Sequence, residues 1–123
     1  MFGRLLGNAG AISAEKLRRD YEKLLGKDEV VHAGFKVFRD TWIFTSNRLI
    51  LVDVQGMTGR KREYLSIPYS KITMFSVETT GTFDLDAELK IWIGSYPNPI
   101  EKKFNKSVDI YEVQGLLAQL VQK

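Results

Sequence analysis

Between Ile43 and Ile72 the chain reads IFTSNRLILVDVQGMTGRKREYLSIPYSKI, and this stretch limits the possible folds more than any other. Three short β-rich segments are divided by two turns, Ser46-Asn47 and the glycine-bounded loop Gln55 to Lys61. Gly56 and Gly59 can supply positive φ, so the loop reads as a hairpin tip. Pro68 closes the third segment because it has no N–H to give to a ladder. The longest apolar run, Leu49 to Val52, is stopped by Asp53, far short of the roughly 18 residues that a membrane-spanning helix needs. Antiparallel β-structure therefore organises the middle of the chain.

The flanks read differently. Ser13 is a plausible N-cap, Glu15 falls in a first turn, and Leu17, Tyr21, Leu24 and Leu25 follow at helical spacing until Gly26. Ahead of this helix, Phe2, Leu5 and Leu6 share one side of a turn weakened by Gly3, Gly7 and Gly10, which predicts a sticky, weakly structured arm. From Glu29 the period drops to two, with a strand to Phe38, a tight turn at Arg39-Asp40, and a return from Trp42 to Thr45. After Pro68, strands are predicted over Lys71 to Thr80, Asp86 to Ile93 and Ile100 to Lys106, the last weakly apolar as an edge would be. A C-terminal helix starts from Ser107 as N-cap, with Asp109 in its first turn and a stripe of Ile110, Val113, Leu116, Leu117, Leu120 and Val121. Gly115 inside that helix predicts close approach to the sheet. The arm and first helix, 1–28, pack on a domain covering 29–123.

Reactive chemistry finds few parts. Cysteine is absent from the 123 residues, which removes disulfides and thiolates and fits a reducing cytoplasm. His32 is the single histidine, with no second histidine and no cysteine to complete a metal site or a nucleophile–base pair, and no glycine-rich phosphate loop is present. No catalytic residue, cofactor or metal is expected, and the reading is not an enzyme. Asp84, Asp86 and Glu88 would share one strand face, but alternate positions are roughly 6.5–7 Å apart, wide for a Ca²⁺ cage. Pairing with Lys102 and Lys103 across strands explains them better. The net charge of +3 is mild and dispersed, so no nucleic acid is expected as a partner.

Seven strands and a closing helix, together with Thr45-Ser46-Asn47-Arg48-Leu49-Ile50-Leu51-Val52-Asp53, Ser66-Ile67-Pro68-Tyr69-Ser70-Lys71-Ile72, Gly81 to Trp92 and Asp109-Ile110-Tyr111-Glu112-Val113, resemble the bacterial pleckstrin-homology-like domains, a family first described as of unknown function. The resemblance implies a mainly β (α+β) fold, a seven-stranded bent antiparallel sheet or barrel capped by a C-terminal helix, here with an extra N-terminal helix. It implies binding rather than catalysis. Eukaryotic relatives that hold inositol phosphates use bases on the first hairpin, where this chain has Arg39 beside Asp40, so a headgroup site is not implied.

The expected function is a cytoplasmic, non-enzymatic binding or scaffolding module acting through self-assembly or protein contacts. A homo-oligomer is the expected state and another protein a further possible partner. Phe2, Leu5, Leu6, Trp92 and Tyr96 are the candidate oligomer contacts, with Trp42 placed near the same side. Arg60, Lys61 and Arg62 form a candidate anion- or partner-binding loop, and a peripheral membrane role through them is the alternative, not the favoured reading.

Overall fold

A computed structural model describes residues 10–79, 87–105 and 108–121. The expectations for Phe2, Leu5, Leu6, Asp84, Asp86, the turn at Gly81 and the cap at Ser107 lie outside these residues. Five strands form one antiparallel sheet in the order β1 (Ala11–Ile12), β2 (Val31–Val37), β3 (Asp40–Thr45), β4 (Arg48–Gln55) and β5 (Lys61–Pro68). A second sheet holds β6 (Ile72–Glu78), β7 (Ala87–Ile93) and β8 (Ile100–Phe104), and a 3₁₀ turn at Tyr69–Lys71 carries the chain from one sheet to the other. The helices are α1 (Ala14–Asp20) and α2 (Ile110–Val121).

The core lies between the sheets and under α2. Phe35, Trp42, Phe44, Leu49 and Leu51 alternate toward the interior of the first sheet and meet Leu89, Ile91 and Phe104 of the second and Val113 and Leu117 of α2. Trp42 stacks edge-on against Phe104 with ring centroids 5.0 Å apart. It is therefore a core residue that joins the sheets, not a neighbour of Trp92 on the surface as the sequence suggested.

The apolar run of β4 has a separate explanation. Its intervening residues Ile50 and Val52, with Ile43 and Val31, point to the other face of the sheet and are covered by Leu17 of α1. Ser13 caps α1 as expected, its hydroxyl accepting the Lys16 N–H at 3.1 Å. The helix ends at Asp20, and turns carry Leu24 and Leu25 to the rim of the same cluster.

Three local expectations need correction. The first hairpin turns at Phe38-Arg39 and not at Arg39-Asp40, because Asp40 pairs with Val37 and its Oδ1 accepts the Val54 N–H at 2.9 Å, which holds it in the ladder. Part of the predicted arm, Ala11–Ile12, is a short strand on β2. Gly115 approaches nothing: it is exposed, and a Cβ placed there would have no atom within 4 Å. Gly115→Ala should accordingly raise the unfolding free energy by about 0.5–1 kcal/mol, read as a later urea midpoint at unchanged slope.

Candidate functional site

The most strongly coupled polar group is buried beside α1. Glu29 is 2% exposed. Its Oε2 accepts from Thr45 Oγ1 at 2.5 Å and Arg48 Nε at 2.9 Å, while Oε1 accepts from Arg48 Nη2 and the Gly26 N–H, each at 2.9 Å. Arg48 also donates to the Leu24 carbonyl at 2.8 Å and to Ser66 Oγ at 2.7 Å. Arg18 Nη1 donates to the Glu29 carbonyl, and the Tyr69 hydroxyl donates to the Thr45 carbonyl at 2.7 Å. The segment after α1, the β3–β4 turn, β5 and the 3₁₀ turn thus meet at one ion pair. Both carboxylate oxygens are committed to protein donors, so this is a clamp and not a reaction centre.

Hydrogen bonds from the Arg48 guanidinium hold the Glu29 carboxyl at about 2, against the burial that would raise it. Burial pushes the Tyr69 hydroxyl up in the opposite sense to a reactive phenol. A carboxyl depressed by folding contributes stability in full above its unfolded value of 4.5 and loses it as pH falls toward about 2. At about 1.4 kcal/mol per unit, that window is worth about 3 kcal/mol. Urea midpoints measured from about pH 6 down to about pH 3 should fall across it, and Glu29→Gln should flatten the fall.

The outer surfaces divide into three parts. On the second sheet, Glu88 stands opposite Lys103 and Lys90 opposite Glu101, an alternating charged face suited to water. The expected pairing of Glu88 with Lys103 fits this register. Lys102 is different: it reaches Asp40 of the first sheet at 3.6 Å. Trp92 shares the outer face with Glu88 and Lys90, half-buried and opposite Met74, which is 57% exposed. Tyr96 is exposed in the β7–β8 turn.

The second part is formed by two of the four sheet-terminal strands, β5 and β6. β5 bonds to β4 on one side and has no strand partner on its other side among the described residues. All of Lys61 to Ser66 is exposed, including Tyr64 and Leu65. Leu65 pairs with the inward-facing Leu51, so it lies on the core side of the sheet yet is uncovered. β6 is likewise an edge, with Met74 on its open outer face.

The third part is the end of the first sheet that carries Arg60, Lys61 and Arg62, all exposed. The structure adds Arg39 to them: its Nη2 donates to the Gly56 carbonyl at 2.6 Å and clips the β2–β3 turn to the β4–β5 loop. Two apolar side chains project from the same two loops. Met57 is fully exposed, and Phe38 is 55% exposed with φ at 58°. A left-handed backbone at a bulky residue costs on the order of 1–2 kcal/mol. Neither residue stood out in the sequence; an aromatic in a two-residue hairpin loop and a methionine between glycines were the available signals.

Two antiparallel sheets, five-stranded and three-stranded, enclosing one core with an amphipathic C-terminal helix, define a pleckstrin-homology-like domain. More narrowly, the chain belongs to the bacterial PH domain family, whose family model matches residues 1–121. It is 50% identical over 115 residues to the uncharacterized protein YjqA of Bacillus subtilis, covering 93% of this chain and 92% of that protein. Among solved structures, a DUF1696 family protein with a pleckstrin-homology domain from Shewanella loihica superposes with a TM-score of 0.82 at 42% identity, covering 94% of this chain and 98% of that one. A pleckstrin homology domain from Shewanella amazonensis gives 0.84 at 43% identity, covering 97% and 96%. Among the described residues, no helix is long and apolar enough to cross a membrane.

Proposed function

We propose that this is a non-enzymatic binding and scaffolding module that works by self-assembly through its open sheet edge. The supporting observation is β5: an eight-residue edge strand whose Lys61 to Ser66 are all exposed, with Tyr64 and Leu65 at its centre. Such an edge offers unpaired N–H and C=O groups for strand addition, and an antiparallel pair of like edges is self-complementary about a two-fold axis. Phe2, Leu5 and Leu6 supply further apolar contact in this reading, and Trp92 with Tyr96 offers a second surface for higher assembly.

Light scattering at tens of micromolar tests it. The parent chain should run above monomer mass, and Leu65→Lys, which sets an inward-pointing charge on the edge, should lower the mass while the circular dichroism of the fold is kept. A strictly monomeric parent overturns the reading.

A further inference from the structure

A cleft of about 380 Å³ opens between α1, β1 and the outer face of the first sheet, within the range of small-molecule sites. No residue of β5 or of the loop Gln55 to Lys61 lines it, so it is independent of the open edge. We infer that this cleft binds a small monocarboxylate with an apolar body, held by Lys36 and Thr41. Thr41 lines the cleft and is 5% exposed, yet its hydroxyl has no hydrogen-bond partner among the described residues. Thr45, the other buried threonine on this face of β3, is fully used: its hydroxyl donates to Glu29 and accepts from the Asn47 and Arg48 N–H groups. A buried hydroxyl without a partner costs free energy that a valine would not, and a guest in the cleft supplies the missing acceptor.

Lys36 stands directly opposite Thr41 in the β2–β3 ladder, which sets their side chains on one face with Cβ atoms about 5 Å apart. It also lines the cleft, and no acid among the described residues pairs with it. The single acid in the lining, Asp20, is already held by Lys16 at 2.7 Å, which leaves Lys36 as the uncommitted charge. An ammonium and a hydroxyl side by side match the two oxygens of one carboxylate, through a charge-assisted bond and a neutral one. The rest of the lining suits a different part of the guest. Leu17 is seated over Gly34, one pair along the ladder from Lys36 and Thr41 and so roughly 6.5–7 Å away. Leu17, Tyr21 and Ile12 thus present apolar walls beyond the polar pair, where a hydrocarbon or aromatic body leaves water. A phosphate dianion would meet one uncommitted cation and apolar walls that it cannot use.

Titration of the full chain with 3-phenylpropionate, followed by heteronuclear NMR, tests the site. Saturable shifts should gather at Ile12, Leu17, Lys36 and Thr41, with a Kd below about 5 mM for a probe of this size. The neutral 3-phenylpropanol, 3-phenylpropylamine and phenyl phosphate should each bind at least about tenfold more weakly. Lys36→Met should weaken the carboxylate at least about tenfold. Thr41→Val should weaken it at least about threefold while its urea midpoint stays at or above that of the parent, which a hydroxyl with a structural role would not allow. Circular dichroism checks that both variants keep the fold. No saturable shift up to about 20 mM, shifts centred outside the cleft, or equal binding of any of the three control probes would each overturn the proposal. So would undiminished binding by either variant, or a lowered urea midpoint in Thr41→Val.

Discussion

Arg48→Met is expected to lower the unfolding free energy by about 3–5 kcal/mol, because it leaves the Glu29 carboxylate buried without its charged partner. The variant keeps the aliphatic stem, so packing along the side chain changes little. Glu29 would retain the Thr45 hydroxyl and the Gly26 N–H, two neutral donors in place of a bidentate guanidinium. Against a total of about 5–15 kcal/mol for a domain of this size, such a loss moves the protein near its threshold. Urea denaturation gives the value, and a second readout checks the cause. Without the guanidinium the carboxyl should titrate higher, so the acid limb of stability against pH shifts upward. Adding Glu29→Gln to Arg48→Met should recover part of the loss, since no uncompensated charge is then buried. A loss under about 1 kcal/mol would show that the pair behaves as an exposed salt bridge.

The second large effect belongs to Leu17. It is 1% exposed and covers the outer face of the first sheet, so Leu17→Ala should cost in the upper part of about 2–5 kcal/mol. Its seat is Gly34. A Cβ built on Gly34 would overlap Leu17 Cδ1 and lie 3.2 Å from the Trp42 carbonyl oxygen. Gly34→Ala therefore forces the end of the Leu17 side chain to shift within its packed seat and should cost about 1–3 kcal/mol. The two changes should not add: with Leu17 already shortened, the new methyl group fills space in place of clashing. A double-mutant cycle by thermal or urea unfolding measures this. Additive losses would mean that the helix does not rest on Gly34.

The fold was largely legible because its signals are local and periodic. The β-hairpins around Ser46-Asn47 and Gln55 to Lys61, the cap at Ser13 and the stripe of α2 all depend on residues a few positions apart, where spacing maps directly onto one face of a strand or helix. The clamp was not legible in that way. Glu29 and Arg48 are 19 positions apart, and each alone looks like an ordinary strand-end charge. Trp42 was misplaced for a related reason: alternation shows which residues share a face of a strand, but not which face meets the second sheet. The candidate surfaces were half visible. Arg60, Lys61 and Arg62 announce themselves by composition, whereas Arg39, Phe38 and Met57 join them only when two hairpin loops are brought side by side.

By itself, then, the sequence determined a mainly β domain of pleckstrin-homology-like type with helices at its two ends, because hydrophobic period and turn chemistry are short-range properties of the chain. Tertiary structure alone decided why Leu49 to Val52 is apolar without interruption, one pair facing the core and the other facing α1. It also decided that Glu29 is an anchored carboxylate, that β5 is an open edge, and that an aromatic and a methionine stand out beside four cations. Those facts depend on which distant segments come into contact, and contact across long sequence separation is not written in the period of any one of them.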